Sequence, residues 1–87
     1  MLKIYTRNTC QYCSSAKAVL TNKGITYEEV NVDKDPTARE WLMEKGHRSV
    51  PQLYIGETLF VEGGFQGLTK LSDEEINERL GETDVSE

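Results

Sequence analysis

Leu2-Lys3-Ile4-Tyr5-Thr6-Arg7-Asn8-Thr9-Cys10-Gln11-Tyr12-Cys13 is the stretch on which the reading of this chain turns. Residues 2–5 alternate and are rich in β-favouring side chains, so they read as a strand. Residues 6–9 are polar and read as a loop. The two cysteines follow, three apart, where a helical pattern begins and continues through residues 14–23. At that spacing both thiols lie on one helix face, within disulfide reach. A helix N-terminus offers unpaired backbone N–H groups and partial positive charge to the first sulfur. Those conditions lower a thiol's pKa and make it a nucleophile near neutral pH. The chemistry read from the segment is dithiol–disulfide exchange.

Outward from that segment, Ala16, Val19 and Leu20 recur with Tyr12 at helical spacing, and Gly24 ends the helix. The apolar members are expected to pack on a sheet, with Tyr12 walling a groove beside the sulfur. Residues 25–32 read as a second strand, parallel to the first because a helical crossover intervenes. Asp35-Pro36 places an acid at N-cap and proline at N1 of a second helix. Ala38, Trp41 and Leu42 form its core stripe, and Gly46 ends it. Residues 52–55 read as strand three, with Gly56-Glu57 turning into strand four at 58–61. Gly63-Gly64 breaks the chain before a last helical portion containing Leu68 and Leu71. Ser72-x-x-Glu75 then forms a capping box ahead of Ile76 and Leu80.

Eighty-seven residues predict one domain, with residues 1–80 as its body and 81–87 as a frayed acidic tail. The formal net charge of −5 is unevenly placed. Seven of the fifteen acids lie from Ser72 onward with a single base, Arg79, which leaves the body near neutral. An acidic chain without a basic stripe argues against nucleic-acid binding. No apolar run approaches a membrane span, and the first residues lack a signal or transit pattern, so the expected location is cytoplasmic. In that compartment a Cys-x-x-Cys is more often redox-active or metal-binding than structural. Zinc would need four ligands where the pair supplies two, and His47 is the only histidine. An inert disulfide across two residues would restrain little of the unfolded chain. Redox work is the stronger reading.

Ile4-Tyr5-Thr6-x-x-Thr9-Cys10-x-Tyr12-Cys13, Ser49-Val50-Pro51-Gln52 and Gly63-Gly64-Phe65 resemble, in order and spacing, the three signature blocks of glutaredoxins. The likeness runs from about Leu2 to Leu80 and is strongest to the short dithiol members. It implies the thioredoxin fold in its minimal form, an α/β architecture with a central four-stranded mixed sheet. Three or more helices would flank that sheet, in the order β-α-β-α-β-β-α.

The resemblance also implies a glutathione-dependent thiol–disulfide oxidoreductase, with no bound cofactor or metal and glutathione as reducing co-substrate. Partners would be disulfide-containing proteins, ribonucleotide reductase being typical, and the chain would act as a monomer. Cys10, nearer solvent, is the expected nucleophile, and Cys13, more shielded, the resolving thiol. The family's Val50-Pro51 peptide is cis, which turns the Val50 backbone toward an extended cysteinyl peptide. Gly64, Phe65 and Gln66 would meet the γ-glutamyl end of glutathione, and Arg39 its glycyl carboxylate. Arg7 would add positive field, and Arg48 would steer anions.

Three departures stand out. Gln66-Gly67 replaces the acidic or hydroxyl pair usual after the aromatic, the 60–62 segment is longer, and Gln11 replaces a common proline. These keep open an alternative in which electrons come from thioredoxin reductase. A module sharing a metal or iron–sulfur cluster is disfavoured by the second cysteine.

Overall fold

A computed structural model describes residues 2–84, with side chains described through Leu80. Strands β1 (Leu2–Thr6), β2 (Tyr27–Asn31), β3 (Gln52–Ile55) and β4 (Thr58–Leu59) form one sheet in the order β2-β1-β3-β4. β1 runs parallel to β2 and antiparallel to β3, and β3 is antiparallel to β4. Helices α1 (Gln11–Asn22), α2 (Pro36–Glu44), α3 (Gly64–Lys70) and α4 (Asp73–Asp84) complete the described chain. The order and strand directions are those the resemblance implies, with the last helical portion split in two.

Strand alternation sorts the interior into two layers. Leu2, Ile4, Leu53 and Ile55 face one way and pack with Ala16 and Leu20 of α1, Leu68 of α3 and Ile76 of α4. Fully burying each such Leu or Ile contributes about 1.5–3 kcal/mol. Tyr5 and Tyr54 face the other way, toward Val32 and Leu42, with α2 laid across them. Trp41, expected in the core, is only partly buried. Its ring lies 5.4 Å from Tyr5 and 4.8 Å from Tyr54, with Lys45 Nζ 5.3 Å above it. Aromatic edges and faces close this layer, and a cation covers the outer ring.

Local chemistry explains the helix ends. Gly24, at φ 72°, follows α1, and two bonds fasten the exit: Gly24 N–H donates to Thr21 O and Ile25 N–H to Leu20 O at 2.9 Å. That paired closure is a Schellman motif. It also corrects strand two, which begins at Tyr27 rather than residue 25 because the Ile25 amide is committed to the helix, and ends at Asn31. Gly46 and His47 close α2 in the same way, on Met43 O and Leu42 O. Asp35 caps α2 through the Ala38 amide, and Ser72 and Glu75 exchange side-chain-to-backbone bonds at α4.

Strand four is shorter than its expected span of 58–61. Phe60 keeps one bond, its N–H to Leu53 O, but its own carbonyl accepts from Arg79, and Phe60 and Val61 turn into the core. The helix α4 continues through Gly81 to Asp84, inside the stretch assigned to the tail, and residues 85–87 lie outside those described.

A polar latch ties α1 to the sheet below the dithiol. The buried Thr6 hydroxyl donates to Glu29 Oε2 at 2.7 Å, and Lys17 Nζ reaches both Glu29 oxygens at 3.1 Å. The Thr6 hydroxyl first, then Lys17, holds the Glu29 carboxyl below the usual carboxylate range. A carboxylate lowered on folding stabilises the fold above its unfolded pKa, and that contribution is lost as pH falls through the folded one. Glu29 is partly exposed, so the effect on stability is modest. Glu29→Gln should lower the melting temperature at neutral pH, and the gap from the parent should close below about pH 4. An unchanged gap at lower pH would refute the latch.

Candidate functional site

Cys10 is the N-cap of α1, with extended backbone at φ −151° and ψ 104°, and its sulfur accepts the Cys13 N–H at 3.1 Å. A cysteine thus stands where serine or aspartate usually caps a helix. No acidic residue occupies the first turn of α1 to compete for that positive end. Cys10 and Cys13 are joined as a disulfide with Cα atoms 5.2 Å apart. The two sulfurs are unequal: Cys10 is partly exposed, whereas Cys13 is 2% exposed.

The preceding loop is stapled to the end of β2. Asn8 N–H donates to Asp33 Oδ2, Asn31 Nδ2 to Asn8 Oδ1, and Asp33 N–H to Asn31 Oδ1, each at 2.9 Å. Arg7 lies in this staple, its Nε 3.6 Å from Asp33 Oδ1, so its charge is shared with a carboxylate rather than reserved for the dithiol.

Opposite the dithiol, Val50-Pro51 is cis, and the Val50 carbonyl oxygen lies 3.8 Å from the Cys10 sulfur. Val50 belongs to two troughs that meet there. One, of about 540 Å³, brings together Tyr12, Pro51, Glu62, Gly64, Phe65 and Gln66. Tyr12, expected beside the sulfur at the groove wall, is 57% exposed, its ring 5.8 Å from Phe65. It walls the groove. The other trough holds Arg7, Arg39 and Arg48. His47 borders both, its Nε2 2.5 Å from the buried Tyr54 hydroxyl. Burial, chiefly, raises the Tyr54 pKa, with Tyr5 adding to it.

Gly64 sits at φ 56°, and a Cβ there would lie 2.5 Å from the Pro51 carbonyl oxygen. Only glycine lets the start of α3 approach the cis-peptide so closely. Gly67 is a site residue that the sequence reading missed as a necessity. A Cβ on it would fall inside the Glu62 carbonyl oxygen, because the 60–62 segment lies directly over α3. Its signal was present: a glycine inside a helical pattern costs about 1 kcal/mol against alanine, so its presence there calls for a packing reason.

Among the described residues no group of three or more His, Cys, Asp or Glu could hold a metal ion, and no helix is long and apolar enough to cross a membrane.

The glutaredoxin family model matches residues 2–60. The chain belongs to the glutaredoxin family. It is 40% identical over 55 residues to Glutaredoxin 3 of Escherichia coli, a match covering 62% of this chain and 66% of that protein, just under two thirds of it. It is 39% identical over 56 residues to the glutaredoxin-like protein NrdH of the same species, covering 64% and 69%. A glutaredoxin of Neisseria meningitidis is 42% identical over 73 residues, covering 82% and 84%. Among solved structures, the E. coli NrdH-redoxin superposes at TM-score 0.68 with 34% identity, covering 88% of this chain and 91% of that one. A buckwheat glutaredoxin in complex with glutathione superposes at 0.73 with 27% identity, covering 93% and 76%. The glutaredoxin fold here is therefore the small thioredoxin-like form, and its Cys-x-x-Cys pair stands at disulfide distance. The chain is similar to glutaredoxins and to the NrdH-redoxin alike.

Proposed function

We propose that the chain is a glutathione-dependent thiol–disulfide oxidoreductase that reduces protein disulfides and glutathione mixed disulfides. The observation that carries this reading is the position of the Cys10 sulfur, capping α1 beside the Val50 carbonyl oxygen. In the reduced protein the Cys13 N–H would favour the Cys10 thiolate over the thiol. That thiolate attacks a substrate disulfide in line, forming a Cys10 mixed disulfide and expelling the second substrate sulfur as a thiolate. The Cys13 thiol, losing its proton, attacks the Cys10 sulfur, closes the internal disulfide and releases the captured substrate sulfur as a thiolate. One glutathione thiolate then opens the Cys10–Cys13 bond. A second removes the first as glutathione disulfide, so two electrons enter and two leave.

In this reading Val50 pairs its backbone with the extended substrate, and Pro51 offers no N–H to compete for it. Gly64, Phe65 and Gln66 contact the γ-glutamyl end of glutathione and Arg39 its glycyl carboxylate, while Tyr12 walls the groove and Arg7 adds positive field. Ribonucleotide reductase is a candidate acceptor, and the protein acts as a cytoplasmic monomer.

A second reading changes only the reductant. Gly67 leaves no space for the acid usual in relatives, and the superposed NrdH-redoxin is described by a thioredoxin-like activity profile. Under that reading thioredoxin reductase supplies the electrons. Steady-state reduction of one disulfide substrate, coupled either to glutathione and glutathione reductase or to thioredoxin reductase, separates the two. The glutathione system is expected to be at least about tenfold faster. A reversed ratio would transfer the protein to the second reading.

A further inference from the structure

The groove beside the dithiol is basic on one side only. The trough bearing Tyr12 and Phe65 has one carboxylate, Glu62, on its border. The trough beyond Val50, about 310 Å³, has no acidic residue in its lining and presents Arg7, Arg39 and Arg48 above apolar Leu42 and Met43. Arg7 is partnered by Asp33. Among the described residues neither Arg39 nor Arg48 has an ion pair. Both are exposed, and Met43 beside them is 63% exposed. Arg39 is set by the first turn of α2, and Arg48 by the closure at Gly46 and His47. Two unpaired guanidiniums over an apolar floor suit carboxylates on a chain that also buries methylene surface.

Resting on the dithiol reading above, we propose that this trough docks an acidic segment beside the target cysteine of a protein substrate. Arg48 is two residues from Val50, so a carboxylate two or three residues from the captured sulfur would come alongside it, at about 3.4 Å per extended residue. The formal net charge of −5 opposes such a partner at long range. Screening confines that opposition, since the Debye length is about 8–10 Å, and the nearby arginines dominate at contact.

The test uses the full chain, pre-reduced and freed of reductant, mixed with short disulfide peptides whose flanks are acidic, neutral or basic. Each turnover converts one peptide disulfide to two thiols and the protein dithiol to the Cys10–Cys13 disulfide, so no glutathione is involved. At about 0.1 M salt, where the Debye length is about 10 Å, the acidic peptide is expected to react about tenfold faster than the neutral one, an advantage lost near 0.5 M salt. Arg48→Gln should shrink that ratio, and Arg39→Gln with Arg48→Gln should abolish it. Equal rates for all three peptides, a fastest basic peptide, or a ratio retained in the double variant would overturn the docking proposal. Failure to reduce any peptide would instead sink the dithiol reading. Sedimentation under the same conditions should show a monomer. A salt-sensitive dimer would assign the trough to the acidic α4 of a second copy and overturn the proposal.

Discussion

Cys10→Ser is expected to lose at least about a thousandfold in turnover on every disulfide, because a hydroxyl at the helix N-cap neither ionises near neutral pH nor exchanges with sulfur. Cys13→Ser is expected to behave differently on different substrates. The bond to the Cys10 sulfur comes from the backbone N–H of residue 13, which serine retains. Attack on a glutathione mixed disulfide needs one protein thiol, since glutathione itself can release the adduct. That activity should persist within about an order of magnitude of the parent. Reduction of a protein disulfide needs the second thiol to free the captured substrate, and it should stop. Mass spectrometry should then find the substrate trapped on Cys10. Equal losses on both substrates would contradict the division of roles.

Gly67→Asp is the second large effect, and it opposes what comparison of sequences alone would advise. Restoring an acid after Gly63-Gly64-Phe65 looks like completing a glutathione site. In this fold the new Cβ would meet the Glu62 carbonyl, which is backbone and cannot rotate aside. The 60–62 segment or α3 must move, although Val61 and Leu68 are buried. Overpacking of this kind costs about 1–3 kcal/mol. For a chain of this size, that lowers the melting temperature by roughly 5–20 °C. Glutathione-coupled activity should fall as well, because α3 carries Gly64 against Pro51. A Gly67→Asp protein with parental stability and faster glutathione turnover would show that the segment yields easily.

Much of the fold is legible in the sequence because local chemistry determines it. Asp35-Pro36 starts α2, Gly24 and Gly46 end α1 and α2, and Ser72 with Glu75 caps α4. Each depends on atoms within a few residues of one another. The dithiol was legible for the same reason, since helix capping by Cys10 is a three-residue interaction. What escaped depends on backbone closures and packing that residue type does not announce, some of it between residues distant in sequence. Residues 25 and 26 leave strand two because the Ile25 amide closes a helix. Phe60 and Val61 abandon strand four because Arg79 and the core claim them. Trp41 is held at the boundary by Tyr5 and Tyr54 from two strands. Gly67 looked like a missing contact until the Glu62 backbone was found over it.

The Cys10 helix cap is the point on which function rests, and alkylation against pH tests it most directly. In reduced Cys13→Ser protein a single thiol reacts with iodoacetamide, so the rate reports the Cys10 thiolate fraction alone. The account predicts a midpoint at least about one unit below the ~8.5 of free cysteine. A midpoint at or above that value, or a thiol that reacts only after unfolding, would contradict it.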